Sequence, residues 1–157
     1  MLTVTLDTGT LPLVDALAAL DGLEVEVATT TVTAREVEVV EVMVLGESVL
    51  GGAVLGSEGD SDRYERLLAL LSGGGFPKPG KRGNLTTGHK HLQRDVMILA
   101  AHARERRDIF VSNDTKPIGR VGEPLREQLQ QEFGIRAMTL DEFIAYCASL
   151  RSGEPPT

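Results

Sequence analysis

The sequence predicts an α/β domain, a parallel or mostly parallel sheet covered by helices. Three observations predict it. Short apolar, β-branched runs alternate with segments whose apolar residues recur at helical spacing. Glycine, proline and capping residues fall at the joints between them. At 157 residues, 41% hydrophobic and 25% charged, the chain has the balance of one ordinary globular domain with a core of its own. We place that domain at 1–150, with a polar, proline-containing tail expected to be disordered at 151–157.

Leu2–Leu6 is apolar and β-branched and reads as a first strand ending at Asp7. Leu11–Leu20 has helical spacing, with Pro12 near its start and Leu13, Leu17 and Leu20 on one side. Asp21-Gly22 breaks it, and Leu23–Ala28, alternating valine with glutamate, is a second strand. From Thr29 to Leu45 two readings compete. Thr33 with Glu36 forms a capping box, but Val37–Leu45 is valine-rich and β-like; a helical turn near Ala34–Glu36 followed by a strand satisfies both. Ser48–Leu55, punctuated by glycine, reads as a short β partner. Ser61–Leu71 carries Tyr64, Leu67, Leu68 and Leu71 at helical spacing. Ser72–Gly88 is rich in glycine, proline and basic residues and reads as a loop. Leu92–Arg106 is the clearest helix, with Val96, Leu99, Ala100 and Ala103 inward. Asp108–Ser112 is a buried strand running into Asn113-Asp114. Pro124–Phe133 is a helix closed by Gly134, Ile135–Met138 a short strand, and Asp141–Leu150 a last helix capped by Thr139 with Glu142 at its N3 position.

Composition narrows the function. The single cysteine, Cys147, allows no intrachain disulfide and no cysteine-based zinc site, and its place on the last helix predicts a buried apolar side chain. No charged segment leads into an apolar run at the start, and no apolar run approaches the roughly 20 residues of a membrane span, so a cytoplasmic chain without membrane contact is expected. Net charge is −7, but it is unevenly spread: residues 1–65 hold 13 acids and 2 bases, whereas residues 66–157 hold 10 and 14. Between Arg66 and Arg94 there is no acid at all, while Lys78, Lys81, Arg82, Lys90 and Arg94 fall there. An acidic pole beside a basic segment suits a metal at one and a phosphate backbone at the other; solvated surface charge is the plain alternative. Aromatic residues are only 4%, with no tryptophan, which disfavours a module that stacks bases.

Parallel sheets carry their sites at the carboxyl ends of strands. That rule picks out Asp7 and Asp114. Asp95 stands at the expected first turn of the clearest helix, where the dipole stabilises a carboxylate by roughly 0.3–1 kcal/mol. Each acid alone is compatible with a cap, a turn or a solvated charge. Together, several hard oxygen ligands need a counter-charge, which Mg²⁺ or Mn²⁺ supplies. Such an ion polarises a phosphate oxygen and acidifies a bound water.

Four segments resemble the PIN-domain nuclease family: Val4-Thr-Leu-Asp-Thr8, Val27-Ala-Thr-Thr-Thr-Val-Thr-Ala-Arg-Glu36, Asp95-Val-Met-Ile-Leu-Ala-Ala-His-Ala103 and Ile109-Phe-Val-Ser-Asn-Asp114. The resemblance spans roughly residues 2–145 through the order and spacing of four acids. It implies a three-layer α/β/α sandwich with a mostly parallel central sheet, and a Mg²⁺- or Mn²⁺-dependent ribonuclease. Asp7, Glu36, Asp95 and Asp114 would be the catalytic and metal-site acids. Thr8 and Asn113 would contact the site or the phosphate. Many small members of the family are toxins, so the resemblance leaves open an antitoxin partner, and also a homodimer. The family usually sets its second acid on a helix, whereas the run after Glu36 is β-like; Glu38, Asp62 and Glu65 remain alternatives to Glu36.

Other residues have two readings each. Lys90, Arg94 and Lys116 are candidate contacts to the RNA backbone. His89 and His91 lack a third zinc ligand nearby. His102 lies about two turns beyond Asp95, too far to share a metal with it. Glu58, Asp60, Asp62 and Glu65 lack the spacing of a calcium-binding EF-hand. Asp7-Thr-Gly-Thr-Leu11 also resembles the first motif of haloacid-dehalogenase phosphatases, but glycine occupies position 9, where that family has its second acid. A PIN-like scaffold that binds RNA or protein without cutting is the non-enzymatic alternative.

Overall fold

A computed structural model of the protein describes residues 1–7, 10–29 and 58–153. The described residues fall into two compact units, 1–31 with 105–157, and 32–104.

The first unit contains a four-stranded, all-parallel sheet, which makes the protein α/β as the sequence predicts. Its strands are β1 (Leu2–Leu6), β2 (Val25–Thr29), β3 (Ile109–Val111) and β4 (Ala137–Met138), in the order β2-β1-β3-β4. Its helices are α1 (Leu13–Ala18), α4 (Thr115–Ile118), α5 (Pro124–Phe133) and α6 (Leu140–Ser152). Alternation along β1 sends Val4 and Leu6 to one face, where Ile109, Val111 and Met138 join them. Leu11, Ala16, Ala19 and Leu20 from α1 and its flanks, and Leu140, Phe143 and Cys147 from α6, close over that face. Thr5 and Phe110, on the other face, are buried as well. A parallel sheet buried on both sides is the situation that layered helices produce.

The inward face of α1 differs from expectation. Ala16, Ala19 and Leu20 are buried, while Leu17 is 46% exposed. The helix is also shorter than predicted, because its last residues close into turns before Gly22 at φ 76°. Arg107 ties the sheet at its amino end. Its guanidinium donates to the carbonyls of Val4 and Glu26, both at 2.8 Å, and to the Glu26 carboxylate at 3.0 Å. The last helix runs past the predicted boundary at 150, and Arg151 donates to the carbonyls of Ala19 and Asp21. The start of the expected tail is therefore part of the fold; residues 154–157 lie outside the described residues.

Arg126 organises the corner between α4, α5, β4 and α6. It donates to the carbonyls of Ile118 (3.2 Å), Gly119 (2.7 Å) and Ala137 (3.1 Å), and to the Glu142 carboxylate at 2.7 and 3.3 Å. Glu142 also completes the predicted capping box with Thr139. Burial works to raise the Glu142 carboxyl, but the bonds from Arg126 and Thr139 outweigh it and hold the group below its ordinary value. The folded chain therefore binds this proton less readily than the unfolded chain. The contribution is present in full above the unfolded value, about 4.3 for glutamate, and is lost as pH falls through the lower folded value. Melting temperature is expected to drop below about pH 4, and Glu142→Gln is expected to flatten that part of the profile. An unchanged acid limb in the variant would contradict the assignment. Asp108 is shifted the same way by the Thr3 backbone N–H and hydroxyl.

In the second unit α2 (Glu58–Ser72) packs on α3 (Thr87–Arg104). Tyr64, Leu67 and Leu68 are buried from α2, and Val96, Leu99, Ala100 and Ala103 from α3, as the spacing predicts. His102 is buried too. Helix α3 begins five residues earlier than the predicted Leu92. His89 and Lys90 consequently lie in its first turn and His91 at the start of its second, rather than in a preceding loop. Asp95 is in its third turn, so the expected stabilisation by the helix dipole does not apply. Arg82 pairs with Glu65 at 2.6 and 3.0 Å and stacks 4.9 Å from the centre of the Phe76 ring, whose edge meets His89 at 5.2 Å. No described helix is long and apolar enough to cross a membrane. The expected elements between Thr30 and Ser57, with Glu36 and Glu38, lie outside the described residues.

Candidate functional site

The strand order puts β1 between β2 and β3. The chain leaves β1 towards β2 and returns on the opposite side as β3, so the two connections diverge at the carboxyl ends of β1 and β3. That divergence is where open parallel sheets bind ligands. Asp7 follows β1 there, and Ser112-Asn113-Asp114 follow β3. The backbone N–H of Asp7 donates to the Val111 carbonyl at 3.0 Å, and that of Ser112 to Met138 at 3.0 Å, so both strand ends are pinned by the ladder.

Hydroxyls join the two ends. The Ser112 hydroxyl, fully buried, donates to Asp7 Oδ2 at 2.9 Å and accepts from the Asp114 backbone N–H at 3.2 Å. Thr10 closes a turn on Asp7, its N–H donating to the Asp7 carbonyl at 3.1 Å. Its hydroxyl lies 3.4 Å from Asp7 Oδ2 and 3.2 Å from Ser112 Oγ, and accepts from the Asn113 N–H at 3.0 Å. Both hydroxyl contacts to the Asp7 carboxylate thus fall on Oδ2. Asp114 is half-buried and caps α4, its Oδ1 accepting from the Lys116 N–H at 3.1 Å.

The sequence-predicted residues divide three ways. Asp7 and Asp114 come to one end of the sheet, with Asn113 and the exposed Lys116 beside Asp114. Asn113 Oδ1 accepts from the Leu140 N–H at 3.0 Å, which ties the end of β3 to the start of α6. Asp95, half-buried, and the exposed Lys90 and Arg94 lie on α3 of the second unit. Glu36 and Thr8 lie outside the described residues. Among the alternative second acids, Glu65 is engaged by Arg82, and Asp62 faces Arg66 at 4.0 Å, both side chains exposed on α2. The same ion pair withdraws Arg82 from the set of bases free to meet a phosphate backbone.

Thr10 and Ser112 were missed as site residues. Their signal was present but weak: a hydroxyl residue near each strand-end aspartate, which turn chemistry alone explains equally well.

Among the described residues no three histidine, cysteine or acidic side chains converge. Mg²⁺ does not require such a cage, since it commonly takes one or two carboxylates and keeps several waters. Asp7 and Asp114 offer hard carboxylate oxygens of the type Mg²⁺ and Mn²⁺ prefer. In each, the hydrogen bonds described fall on one oxygen: Oδ2 of Asp7 and Oδ1 of Asp114. The donor chemistry fits such an ion.

The fold and this strand-end pair define the class, an α/β protein with its candidate site at the β1–β3 divergence. No family model, curated protein or solved structure matches the chain.

Proposed function

We propose that the chain is a metal-dependent nuclease that cleaves phosphodiester bonds in RNA, of PIN-like type. The observation that carries the reading is that Asp7 and Asp114 follow the carboxyl ends of adjacent parallel strands, with the buried Ser112 hydroxyl bonded to the Asp7 carboxylate and to the Asp114 backbone N–H. Carboxylates that follow neighbouring strands at the carboxyl end of a parallel sheet stand where such sheets bind their ligands, and they carry the hard oxygens a divalent cation takes.

In this reading Asp7 and Asp114 would hold Mg²⁺ or Mn²⁺ through the carboxylate oxygens that carry no described hydrogen bond. The bound ion supplies an acidified water and charge neutralisation at phosphorus. Ser112 fixes the plane of the Asp7 carboxylate. Lys116, exposed beside Asp114, holds the phosphate backbone by charge, and its contribution weakens with salt. RNA is the substrate and the ion the cofactor.

The test is cleavage of RNA by Asp7→Asn and Asp114→Asn. Both are expected to fall about 100-fold or more, the equivalent of losing several kcal/mol of metal-based stabilisation. Cleavage that persists in both variants would overturn the nuclease reading.

A second reading has an observation of its own. Asp114 caps α4, and Asp7 accepts from two hydroxyls, so each acid also has a structural use. A scaffold that binds RNA without cutting it uses the same residues in that way. Intact RNA bound by the wild-type chain in the presence of Mn²⁺ would favour it.

A further inference from the structure

We infer that Thr10 is a positioning residue of this site, transmitting the geometry of the β3 end to the Asp7 carboxylate; the inference rests on the metal-site reading above.

Donor counting gives the reason. Four polar atoms surround Thr10 Oγ1: the Asn113 N–H at 3.0 Å, Ser112 Oγ at 3.2 Å, the Asp7 carbonyl at 3.2 Å and Asp7 Oδ2 at 3.4 Å. A hydroxyl has one hydrogen to give and two lone pairs to receive. The Asn113 N–H can only donate, so Thr10 Oγ1 must accept there. The Ser112 hydrogen goes to Asp7 Oδ2, its shortest contact at 2.9 Å. Ser112 Oγ then has two lone pairs, one taken by the Asp114 N–H. The other is one of three acceptors open to the Thr10 hydrogen, beside the Asp7 carbonyl at 3.2 Å and Asp7 Oδ2 at 3.4 Å. The result is a connected network in which the Asn113 N–H donates to Thr10, Ser112 donates to Asp7 Oδ2, and the Thr10 hydrogen ends on Ser112 or on Asp7 itself.

Hydrogen bonds in such a network polarise one another. The network fixes which carboxylate oxygen faces the protein and which is left to a cation. It also gives the Thr10 hydroxyl an alternative acceptor in Asp7 Oδ2 itself, so charge on the carboxylate can be met by either hydroxyl. Thr10 touches no reacting atom in this account. It acts through Asp7 and Ser112.

The measurement is Mn²⁺ affinity of the full chain, read from the electron paramagnetic resonance signal of free Mn²⁺, for wild type, Thr10→Val and Thr10→Ser. Valine keeps the shape and removes the hydroxyl. Serine keeps the hydroxyl. Loss of a partner that orients a metal ligand is expected to weaken binding about tenfold or more in Thr10→Val, with Thr10→Ser close to wild type. Melting curves of the metal-free proteins separate this from general destabilisation, and Thr10→Ala replaces the valine variant should that one not fold. A folded Thr10→Val or Thr10→Ala that binds Mn²⁺ as tightly as wild type would overturn the role of Thr10 while leaving the metal site standing. A wild-type chain that binds no Mn²⁺ would overturn both.

Discussion

Asp7→Asn is expected to abolish Mn²⁺ binding at the strand ends and leave the fold intact. Asparagine has nearly the shape of aspartate, and its amide oxygen can accept from the Ser112 hydroxyl at the position of Oδ2. The Asp7 backbone bond to Val111 and the Thr10 turn do not depend on the side-chain charge. What is lost is one formal charge and a hard carboxylate ligand. For a cation held by one or two protein carboxylates, that removes most of the protein's share of the attraction. Affinity is expected to fall about 100-fold or more, on the several kcal/mol that a metal–carboxylate interaction supplies. The metal-free melting temperature is expected to stay within a few degrees of wild type, since surface and half-exposed polar changes cost about 0.5 kcal/mol or less. A variant that binds Mn²⁺ normally would remove Asp7 from the site. One that fails to fold would assign it a structural role.

Arg126→Ala is expected to give the largest loss of stability among single polar changes here. The guanidinium serves three carbonyls and one carboxylate, and its own side chain is only 13% exposed. Removing it strands Glu142, which is 29% exposed and so only partly compensated by water. Breaking a buried pair from one side costs about 3–5 kcal/mol. The partial exposure here puts the expectation at the lower end, about 3 kcal/mol. For a chain of this size that corresponds to about 6–12 °C in melting temperature. Gly119 adds to the sensitivity of this corner. Its φ is 74°, and a Cβ there would lie 3.2 Å from both Arg126 N and Leu125 Cβ, so a larger residue would be strained and would have to push its neighbours aside by a few tenths of an ångström. A melting temperature within about 2 °C of wild type in Arg126→Ala would contradict this account of the corner.

The fold was legible where local chemistry and apolar period agree. Leu2–Leu6, Pro124–Phe133 with Gly134 beyond it, and the Thr139–Glu142 capping box are read directly from sequence, because each boundary is set by a residue with one strong conformational preference. The start of α3 was not legible. Thr87–His91 carries no apolar period, and Gly88 argues against helix, so the pattern surfaces only at Leu92. A helix starting at Leu92 would set Asp95 in the first turn, whereas the start at Thr87 sets it in the third, away from the positive end of the dipole. The short helix α4 was missed because a single turn has no period at all, and Pro117 within it reads as a breaker although its missing N–H costs nothing in a first turn. The site shows the same division. Strand-end position found Asp7 and Asp114, because a parallel sheet fixes where its carboxyl ends lie. The hydroxyl chain through Thr10 and Ser112 joins residues 102 apart in sequence, and nothing local announces it. Arg82 illustrates the converse: its charge suggested a phosphate contact, and only the fold reveals Glu65 as its partner.

The most direct test of the central claim is cleavage of a labelled single-stranded RNA by the purified chain with Mn²⁺, with EDTA and as Asp114→Asn. Cutting that requires the ion and disappears in the variant is the expected result, and it would join the acid pair to the chemistry in one experiment. Cutting that survives EDTA and Asp114→Asn, or intact RNA from a folded wild-type chain supplied with Mn²⁺, would contradict it.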